Sequence, residues 1–200
     1  MHPIVRLHAQ GLGFAYPGVP VFEGLDFLIG PGLSVILGGD GRGKTTLLRL
    51  LAGELTPSAG KLERVVPSLF SVDPHNPDDD TLTARQWLLQ HRARYLSWDE
   101  ALEARLIEGF SLEVHRDKQL FMLSTGTRRK IWLTAALACG ASLVLLETPF
   151  SALDLPSRRH LAGLLRERAE AGGQAVVIAD HTLPDELSGM QPAACVALGD

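Results

Sequence analysis

The segment Gly38-Gly39-Asp40-Gly41-Arg42-Gly43-Lys44-Thr45 satisfies the pattern G-x-x-x-x-G-K-[ST] at every required position. Each residue type has a chemical reason to be there. Glycines let backbone N–H groups turn inward around phosphate oxygens without Cβ clashes. A helix opening near Lys44 would add the positive end of its dipole to the same anion. The Lys44 ammonium suits the β and γ phosphates of a nucleoside triphosphate, and the Thr45 hydroxyl suits a Mg²⁺ ligand. Asp40 works against this chemistry, because it places a carboxylate beside polyphosphate; Arg42 is a residue that could offset it.

The flanking elements fit the motif. Leu33-Ser34-Val35-Ile36-Leu37 is β-branched and apolar on both faces, as a buried central strand should be, and Thr45 to Ala52 reads as a helix that stops at Gly53. Ahead of them, Ile4–Leu7, Leu12–Tyr16 and Val21–Phe27 read as short strands separated by Gly11, Gly13 and the turn-rich Pro17-Gly18-Val19-Pro20. Lys61–Val66 and Ser68–Val72 are two further candidate strands. Asp73 to Thr81, with Pro74, Pro77 and Asp78-Asp79-Asp80, reads as a solvated polar loop.

From Leu82 to Phe121 the period is helical. Ser97-Trp98-Asp99-Glu100 has the capping-box form, and Trp98, Leu102 and Leu106 recur at helical spacing. Residues 82–125 are therefore expected to be a mainly helical subdomain within one domain spanning 1–200. Gly140 divides Ile131–Leu146 into a helical half and a strand half. Pro156 suits the first turn of a helix that Gly172-Gly173 ends, with Leu161, Leu164, Leu165 and Ala169 on one face. Ala175–Ala179 is another buried strand and Cys195–Leu198 a final one. Strands alternating with helices imply a parallel sheet covered on both faces.

Composition excludes several classes. At 200 residues the chain holds one ordinary core; 46% hydrophobic and 21% charged residues are values of a globular protein, not of a disordered or collagen-like one. A net charge of −4 gives no general attraction to nucleic acid, and the clusters Arg92/Arg94 and Arg128-Arg129-Lys130 are too small to supply one. Cys139 and Cys195 lie outside any metal-ligand spacing and are expected to be small buried residues in a reducing compartment. No signal peptide is expected from Met1–Gln10. The run Ile131–Leu146 is shorter than the roughly 20 apolar residues of a membrane span, so no direct membrane insertion is expected.

Further motifs narrow the choice among phosphate-loop proteins. Over nearly its whole length, in order, the chain resembles the ATP-binding subunit of ABC transporters. Gly38–Thr46 with Leu47-Leu48-Arg49-Leu50-Leu51-Ala52-Gly53 resembles the Walker A motif and its helix, and Thr56-Pro57-Ser58-Ala59-Gly60 the turn after it. Leu123-Ser124-Thr125-Gly126-Thr127 resembles the signature motif. Leu145-Leu146-Glu147-Thr148-Pro149 occupies the Walker B place and Ser151-Ala152-Leu153-Asp154 is similar to the D-loop. Ala179-Asp180-His181 resembles the strand ending at the switch histidine, and Tyr16 the aromatic that stacks on adenine.

The resemblance implies an α/β fold: a P-loop NTPase core with a parallel sheet, an N-terminal antiparallel β subdomain and a helical insertion. It implies ATP and Mg²⁺ as ligands. ATP would contact Tyr16, Gly38, Gly39, Asp40, Gly41, Arg42, Gly43, Lys44, Thr45 and Thr46 on one cassette. Ser124 and the Gly126 N–H of a second cassette would reach the γ-phosphate across a dimer interface. Lys44, Glu147, Thr148 and His181 hold the catalytic positions; Thr45, Glu147 and Asp73 are the metal-side candidates. A transmembrane permease is the implied partner, with the insertion, and Trp87, Leu88 and Trp98 in particular, as its docking surface, although tryptophans at helical spacing are more often core. The implied location is the cytoplasmic face of the membrane, reached through the permease.

The departures from the family fall where the chemistry is done. Glu147 replaces the Walker B aspartate, keeping a carboxylate that is one methylene longer. Thr148 replaces the catalytic glutamate, and a neutral hydroxyl is a poor proton acceptor; losing a general base typically lowers the rate about 10²–10⁴-fold. The glutamine expected after the sixth strand has no match in Ser71-Val72-Asp73-Pro74-His75, leaving Asp73 and His75 as substitutes. Thr125 and Thr127 replace a glycine and a glutamine of the signature. The reading is therefore an ATPase subunit driving a separate permease, with an ATP-dependent binding module of little turnover as its alternative. A soluble P-loop ATPase of the DNA-repair kind is disfavoured by the short insertion and the lack of heptads. Cargo and direction of transport are not legible.

Overall fold

The computed structural model describes residues 7–73 and 76–199. The chain divides into two compact units: Met1–Leu69 with Ser142–Thr148 and Leu165–Asp200, and Phe70–Ala141 with Pro149–Leu164.

The first unit holds two sheets. In the antiparallel one, β1 (Leu7–Tyr16) lies between β2 (Val19–Ile29) and β4 (Ala59–Arg64). Glycines 11 and 13 do not separate two strands, as expected from their type; they lie within β1, where its register against β2 shifts between Ala9 and Leu12 and again before Phe14. Gly11 takes φ 55° there and donates its N–H to Asp26 Oδ1 at 2.7 Å, so the irregularity leaves a satisfied backbone group. The part of the first expected strand before Leu7 lies outside the described residues. The hairpin turn is Pro17-Gly18, a proline followed by a glycine at φ 77°, the residue types of a type II turn.

The second sheet has strand order β5-β6-β7-β3-β8, with β3 (Gly32–Leu37), β5 (Leu69–Phe70), β6 (Leu143–Glu147), β7 (Ala175–Asp180) and β8 (Ala194–Ala197). The pairs β3–β7, β3–β8 and β6–β7 are all parallel. Its central strands are buried along nearly their whole length, which explains their continuous apolar runs. Helix α1 (Lys44–Ala52) packs Leu47, Leu48, Leu50 and Leu51 into the same core as Ile36, Leu145 and Val177. Burying such side chains contributes about 1.5–3 kcal/mol each. Gly53, at φ 82°, ends α1 by donating its N–H to the carbonyl of Leu50.

The second unit is helical: α2 (Ala84–Arg92), α3 (Glu100–Gly109), α4 (Thr125–Ala138) and residues 155–164 of α5 (Leu155–Ala171). It reaches beyond the 82–125 stretch that the periodicity marks out. Several local expectations are decided by the structure. The capping box belongs to α2, where Thr83 and Gln86 exchange bonds, whereas α3 is capped by Asp99 through the Leu102 N–H, not by Ser97. The acidic segment is not simply solvated: Asp79 accepts a 2.9 Å bond from Trp87 Nε1, and Asp80 pairs with Arg128. Trp87 and Leu88 are core residues, 3% exposed each, and Trp98 is half-buried. Of the cysteines, Cys139 is buried and Cys195, in β8, is exposed, contrary to expectation; alternate residues of this short strand face outward.

His91 of α2 is buried against Trp87, their ring centres 3.8 Å apart, with Nδ1 on the Trp87 carbonyl at 2.9 Å. Burial holds its imidazole below the ordinary value of 6.5 despite that bond. The unfolded chain therefore takes up a proton below about pH 6.5 that the folded chain refuses until a lower pH. The stability His91 contributes is present above 6.5 and is lost as pH falls toward its folded value. Thermal unfolding between pH 8 and 5.5 should show this loss, and His91→Gln should flatten the slope; an unchanged slope would refute it.

Candidate functional site

The phosphate-binding motif folds as its residue types require. The loop leaves β3, and Gly41 and Gly43 take φ values of 75° and 91°. Gly43 occupies the cap position of α1, and no side chain bonds the helix's first N–H groups. A Cβ at Gly43 would collide with Val21 and crowd the Phe22 ring. The motif thus presents an uncapped helix start, whose free N–H groups suit an anion.

Lys44 is 8% exposed, and its ammonium donates to the carbonyls of Gly38 at 2.8 Å and Gly39 at 2.7 Å. The adjoining cleft, about 400 Å³, is lined by Tyr16, Val19, Pro20, Val21, Asp40, Gly41, Gly43, Lys44, Thr45, Thr46, Glu147, Thr148 and His181. Most of the expected site residues thus meet in one place within the first unit. Val19, Pro20 and Val21 join them unannounced, because β2 turns back past the loop.

Tyr16 stands at the mouth, 39% exposed, edge-on to Phe14 and with its hydroxyl 3.4 Å from Thr46 Oγ1. The Thr45 hydroxyl donates to the Glu147 carboxylate. The longer Glu147 side chain therefore reaches the oxygen it would share with a divalent cation. Thr148 follows β6 with its N–H on the Ala179 carbonyl at 2.8 Å and φ at 42°. A β-branched residue in the left-handed region is strained, by about 1–3 kcal/mol. His181, at the end of β7, places Nε2 3.0 Å from Asp40 Oδ1, while its own N–H bonds Asp180. The group within hydrogen-bond reach of Asp40 is thus His181. Among the described residues, no ion pair joins Arg42 to Asp40.

The remaining candidates belong to the second unit. Ser124 caps α4 by accepting the Thr127 N–H at 3.2 Å, and the Thr127 hydroxyl lies 2.9 Å from Ser124 Oγ. Gly126 lies so close to the Ala152 carbonyl, in the turn where Ala152 has φ 59°, that an added Cβ would overlap that oxygen. Lys130 of α4 bonds Asp154 at 2.6 Å, and this bond, with help from Ser157, holds the Asp154 carboxyl far below the usual carboxylate range. Gly126→Ala should destabilise the protein by about 1–3 kcal/mol, the usual effect of overpacking. Urea unfolding checks this, and an unchanged midpoint would contradict the contact. Asp73 lines a small cavity with Asp79, Trp87, Arg128 and Trp132 in this unit. His75 lies outside the described residues.

The ABC transporter family model matches residues 22–151. The chain is 34% identical over 174 residues to the cytochrome c biogenesis ATP-binding export protein CcmA of Ruegeria pomeroyi, covering 86% of this chain and 84% of that one. It is 30% identical to the taurine import ATP-binding protein TauB of Pseudomonas syringae (90% and 74% covered) and 31% identical to the zinc import ATP-binding protein ZnuC of Halorhodospira halophila (98% and 75%). Among solved structures, a metal-chelate type ABC transporter in an inward-facing conformation superposes with a TM-score of 0.73 at 26% identity, over 97% of this chain and 80% of that one. An ABC transporter ATP-binding protein from Pyrococcus furiosus superposes at 0.75 and 22% identity, over 96% and 97%. The chain belongs to the ATP-binding subunits of ABC transporters.

Proposed function

We propose that the cleft of the first unit binds ATP with Mg²⁺ and hydrolyses it slowly, in a dimer of cassettes that drives a separate permease. The observation that carries this is the convergence of an uncapped helix start, the Lys44 ammonium and the Thr45–Glu147 pair on one cleft. These residues fit the ligand. Tyr16 offers a ring to the base, Lys44 and the loop N–H groups suit the phosphates, and Thr45 with Glu147 supplies oxygen donors for Mg²⁺. The described residues contain no group of three or more His, Cys, Asp or Glu placed to hold a metal alone. That suits an ion that keeps its waters and binds through one or two protein oxygens plus phosphate. When bound, Mg²⁺ neutralises charge on the transferring phosphoryl group.

The second unit presents Ser124 and the start of α4, which we assign to the partner cassette's nucleotide. Among the described residues no helix is long and apolar enough to cross a membrane. Relatives named for export and for import match this chain with similar identities, which supports a cargo chosen by the permease.

A second reading has its own observation. Thr148 offers no carboxylate where a base is needed, which favours tight closure on ATP with little turnover. The test is equilibrium binding of Mg²⁺–ATP to the full chain, followed by single-turnover hydrolysis. Binding with slow hydrolysis is expected. Absence of binding overturns the proposal, and binding without hydrolysis leaves the second reading.

A further inference from the structure

A hydrolytic site needs a group that accepts the proton of the attacking water. Among the residues lining the cleft, the carboxylates are Asp40 and Glu147. Glu147 accepts the Thr45 hydroxyl and so belongs to the metal side of the site. Asp40 is placed differently. It sits in the phosphate loop itself, its side chain is 92% exposed, and Oδ1 is 3.0 Å from Nε2 of His181, another cleft-lining residue. A carboxylate in a polyphosphate cradle is electrostatically unfavourable, and the His181 imidazole stands within hydrogen-bond reach of this one. Thr148, whose place in the motif order would carry the base, has only a hydroxyl.

We propose that Asp40 is the proton-accepting carboxylate of this cassette, oriented by His181. The inference rests on the reading of the cleft as an ATP site. In the step assigned to Asp40, water gives a proton to its carboxylate as the water oxygen forms a bond to the terminal phosphorus. The bond from that phosphorus to its bridging oxygen breaks, and the electron pair leaves on the diphosphate. ADP and inorganic phosphate are the products, and Asp40 returns the proton to solvent.

The experiment compares wild type, Asp40→Asn, Thr148→Glu and the double variant in the full chain. It measures Mg²⁺–ATP affinity, single-turnover hydrolysis and the ¹⁵N resonance of His181 Nε2 in the nucleotide-free protein. Asp40→Asn is expected to lower hydrolysis about 10²-fold, the low end of a general-base contribution. Its affinity for Mg²⁺–ATP should be equal or tighter, because a like charge is removed. The His181 Nε2 resonance should move, as its bonding partner has changed. In the Thr148→Glu background the same substitution should alter hydrolysis by less than about threefold, since a second base is then present.

Unchanged hydrolysis in Asp40→Asn overturns the proposal, as does an unmoved His181 resonance. A wild type that binds but does not hydrolyse, while Thr148→Glu does, also overturns it and leaves the ATP-binding reading intact. A chain that binds no Mg²⁺–ATP in any variant overturns the reading of the cleft itself.

Discussion

Lys44→Ala is expected to weaken Mg²⁺–ATP binding by roughly 10²–10³-fold while leaving the protein folded. The ammonium makes two bonds to loop carbonyls, Gly38 and Gly39, and so is held against the phosphate loop. Bound polyphosphate would take over those donors. Hydrogen bonds to charged groups contribute about 1.5–3 kcal/mol each, and two of them account for a loss of that size. The effect on folding is smaller. Removing the side chain releases one buried and one half-buried carbonyl at the rim of a cleft that water can enter. A stability loss of about 1 kcal/mol would lower the melting temperature by about 2–4 °C in a chain of this size. Titration with a fluorescent ATP analogue, beside a melting curve, checks both halves. Affinity within threefold of wild type would show that the loop does not hold phosphate.

Thr148→Glu carries the second large expectation, a rise of about 10- to 100-fold in the rate of ATP hydrolysis. A well-placed general base contributes about 10²–10⁴-fold, and Asp40 is assigned the low end of that range, so the gap to the upper end is what the substitution can recover. The backbone also favours the change. At φ 42° a β-branched side chain is strained, and an unbranched Cβ relieves part of that strain. The variant should therefore melt no lower than wild type. Single-turnover hydrolysis measures the rate, and a rate no higher than wild type would show that position 148 is not where a base acts.

How much of this was legible in the sequence depended on whether a signal was local. The phosphate loop, β3 and α1 read directly, because glycines, a β-branched run and a helical period follow one another without a break. Gly53 and Gly140 marked real boundaries, and both take positive φ. Gly11 and Gly13 misled, because a glycine that ends a strand and one that bulges within it are the same residue type; the deciding partner, Asp26, lies on the neighbouring strand. Ser97 misled in a similar way, since Asp99 two residues on was an equally good cap. Asp40 stands out in the sequence as a misplaced charge, but nothing local marks its partner. His181 lies at the far end of the chain, and only the parallel pairing of β3 with β7 brings the two together. The contact between Gly126 and Ala152 had no sequence signal beyond a glycine in a motif, because its other half is a backbone oxygen.

That contact changes what counts as a unit of variation. Gly126 abuts the Ala152 carbonyl, and Lys130 anchors Asp154 a few residues along each segment. The two segments touch in two places, so neither can shift appreciably without carrying the other. Substitutions on one side should then be tolerated or rejected according to what stands opposite. Transplanting either segment from a relative should succeed more often when both are moved together.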